Sequence, residues 1–270
     1  MLTYNRPQFL DKAIQSILNQ QFSSWELLVV HDGPNQQIRD VMREWQGVDE
    51  RIRYYNRLDK GNIAQASNFG LARARGEYIA ILDDDDYWCT PDKLAKQAAF
   101  LDRNPGYSCC GGGAIVVDAA DCEQMRYLKP EQDQDIKRKA LLANPMVHST
   151  TMYRREHALQ VGGYDETLAG FQDWDLWLKL GEVGNLYNFS DYLVCYRVWH
   201  GSGSFRQAKS NTESALRIVR RHRKGYPGFS LAYAMTQLYH RYAQLPVAVQ
   251  RMSYPFLSHL KKSVFSAEVG

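Results

Sequence analysis

Short apolar segments alternate with amphipathic segments of helical period through roughly the first hundred residues. In the segment after Pro7, the apolar side chains Leu10, Ile14 and Ile17 recur at the spacing of one helix face. The predicted strands lie at 27–30, 52–55 and 78–82, and the predicted helices at 7–20, 38–45, 62–75 and after Thr90-Pro91. This β-α-β-α order predicts an α/β fold with a mostly parallel sheet that is covered by helices on both faces.

The later part of the chain is less regular. Segments within 106–117, 149–153 and 193–199 are typical of strands, and 174–180 is typical of a helix. Beyond about residue 205 the pattern is helical and basic. At the other end, only residues 1–4 are available for a strand before the Pro7 helix, so this strand is either very short or begins before Met1.

Composition excludes several classes of protein. The 270 residues are 44% hydrophobic and 23% charged, which excludes a wholly disordered chain. A formal net charge of +3 argues against a dedicated nucleic-acid binder. No apolar stretch reaches the ~18 residues of a membrane span, and the first ten residues do not form a signal peptide. Five cysteines without a C-x-x-C pair predict reduced thiols and a cytoplasmic protein.

Four consecutive aspartates, Asp83 to Asp86, directly follow the predicted strand 78–82. Adjacent carboxylates repel one another, and open α/β sheets bind ligands at the carboxyl ends of their strands. A divalent cation such as Mg²⁺ or Mn²⁺ would relieve the repulsion, because it prefers carboxylate and water oxygens. If the segment is extended, Asp83 and Asp85 share one side and Asp84 faces the other. The alternative is a solvated acidic turn before the Pro91 helix.

A second acidic segment, FQDWDLW at 171–177, combines carboxylates with an apolar helix face. Asp173 lies at the predicted helix start, where an N-cap role is one interpretation. The other is a general base, because a carboxylate beside Trp174 can be partly desolvated, which would raise its pKa.

Together these segments resemble the family 2 glycosyltransferases, which have the GT-A fold. The matching motifs run from Thr3 to about Ser204 and are TYNRP, ELLVVHDGP, KGNIAQASNFGLARARGEYIAILDDDD, TPDKL, GGYDE, FQDWDLWLKL and YRVWHGSGS. The resemblance implies a Rossmann-like nucleotide-sugar half at about 1–105 and an acceptor half at about 106–204. These form a catalytic domain, 1–204, that is followed by a helical C-terminal extension, 205–270.

The resemblance also implies roles for individual residues. Asp83 and Asp85 match the D-x-D motif and, with His200, would hold Mn²⁺ or Mg²⁺, while Asp173 matches the general base of an inverting transfer. The residues that would bind the nucleotide sugar are Thr3, Tyr4, Arg6, Asp32, Gly61, Asn62, Asn68, Asp83 and Asp84. His148, Trp174 and Trp199 would lie near the acceptor. Core packing is the alternative for the two tryptophans, and a structural role is the alternative for His148.

The implied reaction transfers a sugar from a nucleoside diphosphate, with a UDP-sugar favoured, to a hydroxyl of a glycan or a lipid-linked acceptor. Synthesis of a cell-surface polysaccharide or glycan is the expected context, in the cytoplasm and with no nucleic-acid partner. The basic C-terminal helices either contact the inner face of the membrane or pack on the catalytic domain. Two other functions share the acidic motif: a Mg²⁺-dependent nucleotidyltransferase, and a sugar-nucleotide binding module without turnover.

Overall fold

A computed structural model describes residues 1–57, 61–199 and 208–245. Its first half consists of β1 (Leu2–Thr3), α1 (Pro7–Leu18), β2 (Leu27–Asp32), α2 (Gln36–Val48), β3 (Ile52–Arg57) and α3 (Ile63–Arg73). The three strands form a parallel sheet in the order β1-β2-β3, with Leu2 opposite Val30 and Leu27 opposite Ile52. The α/β fold predicted from the alternating pattern is confirmed.

Local chemistry fixes where these helices begin. Pro7 occupies the first turn of α1, where its missing N–H costs no hydrogen bond, and Leu10 and Ile14 are fully buried. A capping box starts α3: the Asn62 side chain accepts from the Gln65 backbone, and the Gln65 side chain accepts from the Asn62 backbone. The α3 helix therefore starts at a fixed point beside the carboxyl end of β2.

A second, mixed sheet has the order β4-β8-β6-β9-β5, with β7 paired to β6. Its strands are β4 (Tyr78–Ala80), β5 (Tyr87–Trp88), β6 (Tyr107–Val117), β7 (Glu123–Tyr127), β8 (Met152–Arg154) and β9 (Asn185–Arg197). The β6–β9 pair is parallel and the other pairs are antiparallel. The helices of this part are α4 (Lys93–Arg103), α5 (Asp133–Lys139), α6 (Arg155–Gln160) and α7 (Gln172–Val183).

Two predicted strands have different bounds in the structure. The strand predicted at 193–199 is the second half of the longer β9. The strand predicted at 149–153 begins instead as a 3-10 turn, His148–Thr150. The Thr150 hydroxyl donates to the Val147 carbonyl at 2.7 Å, and such local side-chain bonds compete with strand pairing.

Helices α8 (Ala208–Arg221) and α9 (Phe229–Ala243) pack against α7, and the rest of the extension predicted at 205–270 lies outside the described residues. The Tyr226 hydroxyl donates to the Leu178 carbonyl at 2.6 Å. Asp175 is buried and pairs with Lys179, Arg221 and His222. Burial acts to raise the pKa of Asp175, but hydrogen bonds from His222 and Lys179 outweigh it and lower the pKa. In the described ranges, no helix is both long and apolar enough to cross a membrane.

Candidate active site

The four aspartates after β4 form a tight turn. The Asp86 amide donates to the Asp83 carbonyl at 3.2 Å. Asp84, Asp85 and Asp86 are buried, while the Asp83 side chain is 34% exposed. The alternative of a solvated acidic turn is therefore wrong for three of the four carboxylates.

Arg6 neutralises the centre of this turn. Its Nη2 lies 2.5 Å from Asp84 Oδ1, and its Nη1 donates to Asp85 Oδ2 at 2.5 Å. The expectation that Asp84 and Asp85 face opposite sides is wrong, because the chain turns here and is not extended. Burial raises the pKa of Asp84 to about 7, although Arg6 opposes the shift, and burial also raises the pKa of Asp85.

Asp86 fixes the turn to the rest of the protein. It accepts from the Ser149 hydroxyl at 2.5 Å and from the Arg197 amide at 2.8 Å. Arg197 also donates through Nε to the Asp85 carbonyl at 2.9 Å. Burial, together with the charges of Asp83 and Asp85, raises the pKa of Asp86 well above its usual value. Asp86 is thus a structural member of the acidic run.

Another carboxylate, Asp32, lies outside the acidic turn, at the carboxyl end of β2. Both of its oxygens accept from the Gly61 amide, at 3.3 and 3.2 Å, and Arg57 lies 3.5 Å away. The Tyr4 ring covers the neighbouring Gly33, where an added Cβ would lie 2.9 Å from the ring. Tyr4 is 38% exposed, so Asp32 and an accessible aromatic ring lie at the same sheet end.

Three residues predicted to bind the nucleotide sugar, Thr3, Asn62 and Asn68, also have contacts within the protein. Thr3 is buried in β1. Asn62 caps α3 and donates to the Glu166 carbonyl at 2.6 Å. Asn68 donates to the Tyr164 carbonyl and accepts from the Tyr164 amide, both at 2.9 Å. These asparagines tie the 162–166 loop to α3.

Asp173 lies in the first turn of α7 but is not its N-cap. The N-cap is Phe171, whose φ is 59°, and Phe171 makes no side-chain capping bond. Asp173 Oδ2 instead accepts from the Asn144 side chain at 2.7 Å. The N-cap interpretation is therefore wrong, and the carboxylate is oriented by an amide from a different segment.

Shared neighbours connect the acidic turn with α7. His148 Nε2 lies 3.8 Å from Asp83 Oδ1, and the His148 ring lies 5.8 Å from the Trp177 ring on α7. Burial raises the pKa of the Tyr164 hydroxyl well above its usual value, and the charges of Asp173 and Asp83 add to the shift. Asp83 and Asp173, which are 90 residues apart in the chain, therefore act on the same side chain.

Trp174 and Trp199, both predicted near the acceptor, lie in different environments. Trp174 is buried, and its Nε1 donates to the Ala140 carbonyl at 2.7 Å, so its ring belongs to the core. This matches the core-packing alternative and removes Trp174 from the acceptor surface. Trp199 donates through Nε1 to Asp85 Oδ2 at 3.1 Å and stands beside the acidic turn. His200, the predicted third metal ligand, lies outside the described residues.

The chemistry of the acidic turn fits a divalent cation. Mg²⁺ typically takes one or two protein carboxylates and completes its shell with water and substrate phosphates. Asp83 is accessible and Asp85 lies beside it, which provides hard oxygen donors of this kind. Across the described part of the chain, no three His, Cys, Asp or Glu side chains form a complete metal-binding set. The turn therefore suits an ion whose remaining ligands would be water and the oxygens of a diphosphate.

Four important residues were not identified from the sequence: Asn144, Ser149, Asp175 and Arg197. Asn144, Ser149 and Arg197 each donate a hydrogen bond to a carboxylate, and Asp175 is itself a carboxylate that pairs with cations. The partners are up to 111 residues apart in the sequence. No local spacing carries that information. The only available sequence signal was the presence of polar side chains inside apolar segments.

The chain is similar to known glycosyltransferases. The sequence model of Glycosyl transferase family 2 matches residues 1–162. The O-antigen biosynthesis glycosyltransferase WbnJ of Escherichia coli is 28% identical over 226 residues, which are 82% of this chain and 86% of WbnJ.

Solved structures share the fold. TarS 1-349 of S. aureus in complex with UDP-GlcNAc has a TM-score of 0.66 at 17% identity, covering 88% of this chain and 70% of that one. This chain spans 38% of the longer TarS chain. The mannosyltransferase PcManGT from Pyrobaculum calidifontis, in complex with GDP-Man and Mn²⁺, has a TM-score of 0.62 at 16% identity, covering 95% of this chain and 78% of that one. By its matched residues and its GT-A architecture, the chain belongs to glycosyl transferase family 2 and is a glycosyltransferase.

Proposed function

We propose that this protein is an inverting, metal-dependent glycosyltransferase that moves a sugar from a nucleoside diphosphate to an acceptor hydroxyl. The observation that carries the proposal is the position of the acidic turn beside α7, which carries Asp173. Asp83 lies 3.8 Å from His148, and the His148 ring lies 5.8 Å from the ring of Trp177 on α7. Asp83 belongs to the acidic turn, whose carboxylates suit a divalent cation. Asp173 is a separate carboxylate, oriented by Asn144. In the proposed displacement, the cation would stabilise the leaving diphosphate and the base would accept the proton of the acceptor hydroxyl.

The donor would bind at the carboxyl ends of β1, β2 and β4. In this proposal Asp32 hydrogen-bonds the nucleobase, and the accessible Tyr4 ring beside Gly33 covers it. Arg6, already held between Asp84 and Asp85, supplies a fixed positive charge near the diphosphate. Asp83 and Asp85 would hold Mn²⁺ or Mg²⁺, with His200 as a further predicted ligand. When bound, this ion would stabilise the charge that develops on the departing diphosphate.

Asp173 would act as the general base. It would accept the proton of the acceptor hydroxyl as that oxygen attacks the sugar carbon from the side opposite the diphosphate. Asn144 binds Oδ2 of Asp173 and so fixes the rotation of the carboxylate. The other oxygen, Oδ1, would then be the atom that accepts the proton. His148, 3.8 Å from Asp83, would lie between donor and acceptor.

Relatives indicate the substrate classes. TarS is solved with UDP-GlcNAc, and WbnJ is an O-antigen biosynthesis enzyme. A UDP-sugar donor and a glycan or lipid-linked acceptor, in cell-surface polysaccharide synthesis on the cytoplasmic side, are therefore the substrates and setting that we propose.

A membrane-bound acceptor would also suit the surface of α9. Leu231, Leu238 and Tyr239 are 59%, 70% and 57% exposed on one helical stripe. Arg223 and Lys224 lie in the nearby basic cluster between α8 and α9. Apolar and basic side chains in this arrangement bind anionic lipid surfaces. Sedimentation with phosphatidylglycerol vesicles should fall for Leu231→Ser/Leu238→Ser but not for Val48→Ser, and equal sedimentation would contradict the contact.

The function is tested by measuring nucleoside diphosphate release from a panel of UDP- and GDP-sugars with Mn²⁺, Mg²⁺ or EDTA. We expect release that depends on a divalent metal, is accelerated by the acceptor and is nearly lost in Asp173→Asn. Asp40→Asn, on the exposed face of α2, should match the unaltered protein. Pyrophosphate release from a nucleoside triphosphate would favour a nucleotidyltransferase instead, and donor binding without release would favour a binding module.

A further inference from the structure

Two cysteine side chains, Cys89 and Cys195, lie next to each other at the edge of the second sheet. In the β5–β9 pairing Tyr87 lies opposite Cys195, and the Cys89 amide donates to the Leu193 carbonyl at 3.3 Å. Because side chains two residues apart on a strand share one face, Cys89 lies on the same face as Tyr87 and on the diagonal from Cys195. There the Cys89 thiol hydrogen-bonds the Cys195 sulfur. The pairing of β5 with β9 thus forms a dithiol.

The surroundings of this dithiol favour a thiolate at Cys195. The hydrogen bond from Cys89 lowers the pKa of Cys195 to about 6, with help from Tyr87 and the charge of Lys12 and against desolvation and the charge of Asp121. The same hydrogen bond raises the pKa of Cys89, which therefore keeps its proton. Lys12 Nζ lies 3.8 Å from the centroid of the Tyr87 ring, so its charge is held beside the pair. Cysteines in such electropositive surroundings are the reactive ones.

The other three cysteines lie in different environments. Cys109 and Cys110 are fully buried, and burial raises the pKa of both thiols, as is typical of unreactive structural cysteines. Cys122 is exposed between β6 and β7. Within the dithiol, Cys195 is 8% exposed and Cys89 is half-buried, so solvent reaches the pair from the β5 edge.

We propose that Cys89 and Cys195 are a redox-active dithiol that reacts with small-molecule disulfides and closes to a reversible internal disulfide. The Cys195 thiolate attacks one sulfur of the small disulfide, whose S–S bond breaks, and one small thiolate leaves. Cys89 gives up its proton and attacks the Cys195 sulfur, which releases the second small thiolate. The protein loses two electrons and two protons in total, and the small disulfide takes them up as two thiols.

The strand geometry makes this internal disulfide both possible and easily reduced. Diagonal neighbours in an antiparallel pair lie about 7–8 Å apart, slightly further than the Cα atoms of a relaxed disulfide. In the strand pairing of the described residues, β5 is a two-residue edge strand whose one neighbour is β9, so a small shift of β5 closes the gap. Strained disulfides are the labile ones in thiol exchange.

The bond would join the two segments that hold the acidic turn. Cys89 follows Asp86 by three residues, and Cys195 precedes Arg197 by two. The Arg197 amide donates to Asp86 Oδ1 at 2.8 Å. Oxidation of the dithiol would therefore restrain the chain on both sides of this hydrogen bond.

The experiment treats the reduced, full-length protein with glutathione disulfide at neutral pH and blocks the remaining thiols with N-ethylmaleimide. Mass spectrometry should find protein that has lost two hydrogens, and peptide mapping should join Cys89 to Cys195. Dithiothreitol should restore both thiols. Cys122→Ser, which removes the exposed cysteine, is the matched control and should form the same bond at the same rate.

Two variants separate the roles of the two thiols. Cys89→Ser keeps a hydroxyl beside Cys195 and should hold one glutathione on Cys195, because the second thiol is gone. In Cys195→Ser, Cys89 should take up glutathione about tenfold or more slowly, because its pKa is not lowered. Equal rates of uptake in the two variants would contradict Cys195 as the attacking thiol.

Folded protein that keeps Cys89 and Cys195 reduced while Cys122 takes up glutathione would overturn the proposal, as would a Cys89–Cys195 bond that forms only in urea. Both of these readouts use the unaltered protein, so they hold even where a variant fails to fold. They do not involve sugar transfer, so their outcome is independent of the proposed function.

Discussion

Arg6 Nη1 lies 2.5 Å from Asp85 Oδ2, although the two residues are 79 positions apart in the chain. The same guanidinium contacts Asp84, which is fully buried. The start of the first helix therefore carries the cation that allows three carboxylates to be buried side by side, and it does so at the carboxyl ends of β1 and β4.

Arg6→Met should lower the free energy of unfolding by about 3 kcal/mol, because removal of one partner of a buried ion pair leaves the other charge uncompensated. Urea unfolding at neutral pH measures this change. Adding Asp84→Asn to Arg6→Met should restore part of the loss, since the unpaired charge is then gone. A double variant as unstable as the sum of the two single variants would contradict this coupling.

Asp173→Asn should lower turnover by about 100-fold or more and leave donor affinity nearly unchanged, because an amide cannot accept the acceptor proton. Steady-state rates and donor titration separate the two effects. Asp175→Asn, two residues along the same helix, should instead reduce stability, because Asp175 binds Lys179, Arg221 and His222. Asp173→Asn turning over at the unaltered rate would remove Asp173 from the base role.

Asp85→Asn should abolish the Mn²⁺ dependence of donor binding, because an amide oxygen is a much weaker ligand for a hard cation than a carboxylate. Calorimetric titration of UDP with Mn²⁺ and with EDTA measures the dependence. Asp40→Asn is the matched control on an exposed helix face. Identical titrations of unaltered protein in Mn²⁺ and in EDTA would mean that the acidic turn holds no metal.

Lys93→Met should change how stability depends on pH. Lys93 is fully buried beside the Trp88 ring, and burial lowers its pKa from 10.5 to about 7. Between those pH values the unfolded chain binds more protons at this residue than the folded chain, so its contribution makes the free energy of unfolding rise with pH.

This rise in the free energy of unfolding should disappear in Lys93→Met. The stability advantage of the variant over the unaltered protein should be largest near pH 7 and below. Urea unfolding from pH 6 to pH 10 measures the difference. Lys96→Met, one turn further along α4 at a partly exposed position, should keep the rise. Parallel stability curves for Lys93→Met and the unaltered protein would show that Lys93 stays protonated when buried.

The local sequence pattern was enough to predict the general fold and the positions of two acidic segments, Asp83 to Asp86 and the segment with Asp173. Helix and strand periods involve neighbours two to four residues apart, so the alternation that gives β2, α2, β3 and α3 can be read directly from the sequence. The position of Asp83 to Asp86 after an apolar strand and the position of Asp173 near a helix start follow in the same way. Short strands such as β5, with two residues, have too few positions to show a period.

Tertiary structure decided the separate roles of these charges. Sequence presents four equivalent aspartates, whereas the fold leaves Asp83 accessible, pairs Asp84 and Asp85 with Arg6, and bonds Asp86 to Ser149 and Arg197. It also buries Trp174 in the core and directs Asn144 to Asp173. Burial and pairing are set by which distant segments pack together, and the energy of a charge depends on those neighbours, so the sequence determined which groups are present and the fold determined their environment.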